Sequence, residues 1–152
     1  MEYLLKIRDT IRNLLFNNFP SNWDGKHSIL ELKTASEADG KNHGWKQMEW
    51  IGFYFEWKAR KILIDNLGGS TGPRFGSVVF DYQYQGIWDF KSHPNNQTAD
   101  WSYLNDVQSV NECINEHGHL GWIIADGRAD YDNTGDFKIW HDALATSTTL
   151  AL

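Results

Sequence analysis

The 152-residue chain is long enough for one domain with a core of its own, and its 41% hydrophobic residues, among them 8 Trp, 8 Phe and 6 Tyr, exclude an intrinsically disordered protein. Its single cysteine, Cys113, excludes an internal disulfide and reads as a small core residue on a helix. A net charge of −6 argues against a protein that coats nucleic acid non-specifically, which needs clustered Lys and Arg. Two classes remain: an enzyme whose acidic residues hold a metal, and an acidic protein that blocks a basic partner.

No apolar run approaches the roughly 20 residues that span a bilayer. Charges interrupt Met1 to Asp9, so this stretch does not read as a signal peptide. The expectation is a cytoplasmic protein with no membrane partner. Without repeats or linkers, residues 1–152 are expected to form a single domain.

In chain order, residues 2–19 carry Leu4, Leu5, Ile7, Ile11, Leu14, Leu15 and Phe19 at helical spacing, with Pro20 just past the end. Residues 21–42 are polar around Ser28 to Lys33, a run that fits either a strand or a helical turn. Residues 44–64 predict the clearest helix. Trp45, Met48, Gly52, Phe55, Ala59 and Ile62 share one face, and Trp50, Tyr54 and Trp57 make a second. A helix apolar on two sides is mostly buried, so Glu49 and Glu56 on it must be paired or bind a cation. After a loop from Leu67 to Pro73, residues 75–84 and 87–92 predict strands joined near Gln85-Gly86. Residues 93–101 predict a polar loop, then 103–117 a helix with Tyr103, Val107, Val110 and Ile114 inward and Gly118 as its cap. Residues 120–125 predict a buried strand, 126–136 a turn and 137–141 a last strand. The sum is a mixed α/β domain, a small twisted sheet flanked by α-helices.

The stretch from Val79 to His93 carries the chemistry. Asp89 and Lys91, two apart on a strand, leave the same face among Ile87, Trp88 and Phe90. Across a hairpin with a three-residue turn Asp81 lies opposite Asp89 and shares its face; with a two-residue turn it points the other way. In the first register two carboxylates and an ammonium converge. A divalent cation relieves the repulsion of the carboxylates, and Mg²⁺ prefers oxygen ligands while keeping several waters. Water on such a cation becomes a usable nucleophile. Lys91 is placed to orient it or to stabilise charge growing on a phosphate oxygen. Phosphodiester hydrolysis requires this set of parts. The plainer reading makes Asp89 and Lys91 an ion pair on a strand surface and Asp81 a turn or edge residue.

Asp81 followed by Asp89-Phe90-Lys91 on the next strand resembles the PD-(D/E)xK nuclease superfamily, whose best-known members are type II restriction endonucleases. The resemblance covers roughly residues 44–126. It implies a restriction-endonuclease-like core, Mg²⁺ held by Asp81 and Asp89, a catalytic Lys91, and a Glu from the preceding helix. Glu56 is the first candidate for that Glu and Glu49 the second; the plainer reading pairs them with Arg60 and Lys46 across helical turns. The resemblance further implies an endonuclease acting on double-stranded DNA, with RNA or branched DNA as a weaker substrate reading. A small enzyme that cuts both strands needs two copies of the site, so a homodimer is expected, with the 2–19 helix a candidate interface. The chain departs from the family pattern in having Phe80 rather than Pro before Asp81, and only seven residues between Asp81 and Asp89. Asp24 with Glu31-Leu32-Lys33 is a rival match.

Other residues complete the reading. His93, at a strand end beside the metal site, suits a phosphate contact, and the amides of Asn95, Asn96 and Gln97 suit adenine edges in a major groove. Asp130, Asp132 and Thr134 loosely resemble a calcium loop, but His141 stands where that loop needs a Glu. His117, His119 and His141 lack partners for zinc. No phosphate loop, dinucleotide fingerprint or nucleophile elbow is present. Most Trp reads as core filler, with Trp23 or Trp101 open to a binding face. The non-catalytic rival is an immunity protein whose carboxylates mimic phosphates towards a basic toxin or nuclease. It calls for an acidic surface patch rather than a buried meeting of Asp81, Asp89 and Lys91.

Overall fold

The computed structural model describes residues 1–96 and 104–147. Gln97, Trp101 and Tyr103 lie outside the described residues, as does the tail from Thr148. Within them the chain is mixed α/β, with five helices, a two-stranded sheet and a three-stranded sheet.

Helix α1 (Glu2–Asn18) turns Ile11 and Leu15 inward. The ambiguous run at 28–33 belongs to a second helix, α2 (Gly25–Asp39). Asp24 caps it by accepting from the His27 N–H at 3.0 Å, and Ser28, Ile29 and Leu32 form its buried face. Helix α3 (Trp50–Leu67) begins at Trp50 rather than at residue 44. The preceding residues form turns: the Gly44 N–H donates to Asn42 Oδ1 at 2.9 Å, and the Gln47 N–H to the Gly44 carbonyl at 3.0 Å. Met48, expected inward, is therefore exposed. Tyr54, Phe55, Ala59 and Leu63 are the buried residues of α3, which packs against both α1 and α2. Phe19, Trp23, Tyr54 and Phe55 pack ring against ring at that junction, so Trp23 lies partly buried against the core. Burying each such ring contributes on the order of 1.5–3 kcal/mol.

The strand expected at 75–84 is three short pieces. β1 (Arg74–Phe75) and β2 (Val78–Val79) pair with each other, and β3 (Tyr82–Gln83) pairs antiparallel with β4 (Ile87–Pro94). β4 runs parallel to β5 (Gly121–Gly127), giving the order β3-β4-β5. Phe90 of β4 packs on Phe55 of α3, which fixes the sheet to the helical layer. Helix α4 (Val107–His117) makes the crossover between the parallel strands. It is capped by Asp106, which accepts from the Ser109 N–H, and by Gly118 in the left-handed region. Its inward residues are Ser109 and Cys113, the latter packed with Phe80 and Ile87; Val107 and Ile114, expected inward, face out.

Residues 137–141 are not a strand but part of helix α5 (Asp136–Thr146). Phe137, Trp140, His141 and Leu144 recur at three and four, a helical period hidden in a short aromatic run. Asp132 organises its start by accepting from the N–H groups of Thr134 and Phe137 at 2.9 and 2.8 Å, and these bonds hold its carboxyl down at about 2. This is the role of the acidic turn with the weak calcium-loop pattern. His141 is buried, with Nε2 at 2.7 Å from the Trp45 carbonyl, so that nitrogen carries the proton. Among the described residues no helix is long and apolar enough to cross a membrane.

The turn between β3 and β4 sets the register. With Gln83 opposite Ile87, the loop is Tyr84-Gln85-Gly86. Gln85 has φ 49° and Gly86 φ 151°. A Cβ on Gly86 would also overlap Nε2 of His119, which accepts from the Ile87 N–H at 3.2 Å. Gly86→Ala is therefore expected to cost about 1–3 kcal/mol, measured as a lowered urea midpoint. A midpoint within error of the parent would show that neither the backbone angle nor His119 constrains this turn.

Candidate functional site

The pairing of Tyr82 with Trp88 and of Gln83 with Ile87, continued by one residue, sets Asp81 opposite Asp89. β3 ends at that point. The Asp81 carboxylate takes over the ladder: the Phe90 N–H donates to its Oδ2 at 2.6 Å. Tyr82 anchors the strand beside it by donating its hydroxyl to the Gly68 carbonyl at 2.7 Å. Both carboxylates are inside the protein, Asp81 at 7% and Asp89 at 3% exposure. Asp89 and Lys91 are thus no ordinary pair on a strand surface.

Lys91 Nζ stands 2.9 Å from Asp89 Oδ2, yet its angle makes no hydrogen bond, and that buried oxygen has no hydrogen-bond partner among the described residues. The site is short of counter-charge. Burial first, then the hydrogen bond to Asp89 and the charges of Glu56 and Asp89, push the Asp81 carboxyl up to about 9; the Phe90 N–H opposes this only in part. A carboxyl group so placed keeps its proton when nothing else neutralises it.

Glu56 approaches from α3 but is held by its own helix. Arg60, one turn on, reaches Glu56 Oε1 with both terminal nitrogens at 3.3 Å. The same guanidinium donates to the Asp81 carbonyl at 3.2 Å and lies 3.9 Å from Asp81 Oδ1. Glu49 sits exposed at the N-cap of α3. A cavity of about 110 Å³, lined by Asn42, His43, Phe53, Glu56, Trp57 and Arg60, opens beside the pair. A larger groove on α4, along Phe75, Glu112, Asn115 and Glu116, has carboxylates but no cation in its lining, which does not suit a phosphate.

The remaining candidates fall as follows. In the parallel register Asp89, Lys91 and His93 lie beside Trp122, Ile124 and Asp126. His93 Nδ1 is 2.9 Å from Asp126 Oδ1, a partner with no local sequence signal because it is 33 residues away. The Asn95 N–H donates to the Gly127 carbonyl at 2.8 Å. Asn96 clasps Ala129, donating to its carbonyl at 2.7 Å and accepting from its N–H at 2.9 Å. A base edge would have to share that amide. Gln97 lies outside the described residues. The rival match dissolves: Asp24 caps α2, Glu31 pairs with Lys58 of α3 at 2.7 Å, and Lys33 pairs with Glu37 on the same helix. Arg60 entered the sequence reading only as a helical partner for Glu56. The i, i+4 spacing signals that pair, but nothing local signals its reach to Asp81.

Among the described residues, no group of three or more Asp, Glu, His or Cys side chains is gathered to hold a metal. The pair that is in place, Asp81 and Asp89, offers hard oxygens, one of them buried and unpartnered. That fits an ion such as Mg²⁺, which keeps waters and takes one or two carboxylates. It does not fit zinc, which takes four ligands from nitrogen and sulfur as well. No family model, curated protein or solved structure matches the chain.

The raised Asp81 group makes a stability prediction. Its folded pKa lies above its unfolded value, so its contribution is fully present below about pH 4 and is lost as pH rises towards 9. In EDTA, thermal stability is expected to fall across that window. Asp81→Asn, which keeps an acceptor for the Phe90 N–H, should flatten the fall and be at least about 1.4 kcal/mol more stable than the parent at pH 8.5, the equivalent of one pKa unit. Parallel pH profiles for the two proteins would show that Asp81 titrates as an ordinary carboxylate.

Proposed function

We propose that the chain is a Mg²⁺-dependent endonuclease of the PD-(D/E)xK type, acting on double-stranded DNA. The observation that carries this reading is the facing of two buried carboxylates, Asp81 and Asp89, with the Lys91 ammonium 2.9 Å from one of them. An inhibitor that mimics phosphates needs its carboxylates on the surface, where a basic partner reaches them; these two are buried. Asp81 and Asp89 would hold Mg²⁺, which when bound supplies charge neutralisation and an activated water for hydrolysis of the phosphodiester. Lys91 stands where it can orient the attacking oxygen or meet charge on the phosphate. His93, held by Asp126, and Asn95 extend this row towards the loops after β4 and β5, on which a DNA backbone would lie. Cleavage of both strands calls for a homodimer.

The test is incubation of the protein with plasmid and phage DNA, with Mg²⁺ or EDTA, beside Lys91→Ala and Asp89→Asn. Discrete fragments that require Mg²⁺ are expected. The rate should fall about 10²–10³-fold or more in Lys91→Ala, and cleavage should be lost in Asp89→Asn with an unchanged circular dichroism spectrum. Full cleavage by Asp89→Asn removes that residue from the site. No cleavage of any nucleic acid, with tight binding of a basic protein, replaces the reading with inhibition.

A further inference from the structure

Arg60 occupies the position between the two acids that face each other across α3 and β3. Its guanidinium reaches a single oxygen of Glu56 with both terminal nitrogens, bonds the Asp81 carbonyl and lies near Asp81 Oδ1, and its side chain is only 19% exposed. Guanidinium does not lose its charge in a protein, so short of protonating a carboxylate the contact is relieved only by movement. Such movement has somewhere to go, because Arg60 and Glu56 both line the 110 Å³ cavity with His43 and Trp57.

Resting on the nuclease reading above, we infer that Arg60 is a positioning residue that withholds Glu56 from the cation. In the free protein Arg60 acts as the counter-ion of Glu56 and Asp81. When a divalent cation and the DNA phosphate are both present, the guanidinium turns to the phosphate and Glu56 becomes available as a third carboxylate. Two observations meet in this inference. The described acids do not assemble a three-ligand set, and the acid missing from it is the one Arg60 holds. Cation binding is then weak without DNA and strengthened by it, and the coupling is reciprocal by linkage.

The experiment measures Mn²⁺ affinity of the full chain by calorimetry, without DNA and with an uncleavable phosphorothioate duplex. Four proteins are compared: parent, Arg60→Gln, Glu56→Gln and the double variant, each checked by thermal melting. Without DNA, Arg60→Gln is expected to bind Mn²⁺ about 5–10-fold tighter than the parent, because a positive charge has left and Glu56 is free. The gain should be markedly smaller in the Glu56→Gln background, where only the loss of the positive charge remains, the mark of a pairwise effect. Duplex should tighten Mn²⁺ binding in the parent and leave Arg60→Gln almost unchanged. Equal or weaker Mn²⁺ binding by folded Arg60→Gln overturns the inference, as does an equal gain in the Glu56→Gln background. Should Arg60→Gln not fold, the duplex effect in the parent against Glu56→Gln decides: equal tightening in both overturns it. A parent that binds no Mn²⁺, or binds it equally as Asp89→Asn, removes the nuclease reading itself. Tight parent binding with no Arg60 effect removes this inference alone.

Discussion

Two carboxyl groups share one buried space in this fold, and the surrounding structure answers to that constraint. Unit charges 4 Å apart interact by roughly 4 kcal/mol at the effective dielectric near a protein surface. Asp81 and Asp89 therefore cannot both be ionised inside the protein without a compensating charge. Lys91 approaches Asp89 and Arg60 approaches Asp81, but Arg60 is also committed to Glu56. Three acids thus face two bases, and a proton on Asp81 closes the remaining deficit, which is what its raised pKa expresses. Such a group adds to stability only while it keeps its proton, and buried ionised groups are commonly matched or bettered by apolar replacements. Its place among the aromatic rings of the core is therefore an argument for a role outside stability.

The fold keeps this arrangement from relaxing. Asp81 is held by the backbone of the neighbouring strand through the Phe90 N–H, Asp89 by its place on the central strand, and Arg60 and Glu56 by the buried helix α3. Phe55, one residue before Glu56, and Phe90, one residue after Asp89, pack on each other. The opposite side of β4 receives α4 only at the Ile87 end, while Ile124, beside Lys91 in the register, is exposed. Among the described residues the sheet thus covers Asp89 closely and leaves Lys91 partly exposed.

The sequence made much of this legible, and the failures have physical causes. Asp89 and Lys91 share a face because a strand alternates, and the Asp81 register reduced to a count of turn residues that only the structure supplied. Glycine at 86 and a positive φ at Gln85 supplied it. Helix α1 and most of α3 follow apolar spacing, whereas α4 forms where expected but turns Ser109 and Cys113 inward rather than Val107 and Ile114. Residues 137–141 misled because five residues with Phe, Ile and Trp suit either period, and the capping residue that decides, Asp132, lies in a turn read for its charge. The strand at 75–84 broke because Phe80 and Asp81 leave the ladder, Phe80 for the core against Cys113 and Asp81 to bond the next strand by its side chain. His93–Asp126 and Arg60–Asp81 join residues distant in the chain, and no local pattern encodes such pairs.

On the proposed reading, the charge at the site decides how an acidic chain would engage DNA. A net charge of −6 opposes binding over a broad surface, but recognition at one phosphate depends on the local sum. With Glu56, Asp81 and Asp89 ionised and Lys91 and Arg60 charged, the site stands at −1. A divalent cation reverses it to +1, and one phosphodiester brings it to zero. The proton on Asp81 and the cation would thus be alternatives: the proton brings the free site to zero, and the cation takes it to +1, a charge for a phosphate to meet. Were the chain the proposed nuclease, metal binding would precede productive contact with DNA for an electrostatic reason, independent of the chemistry the metal would supply.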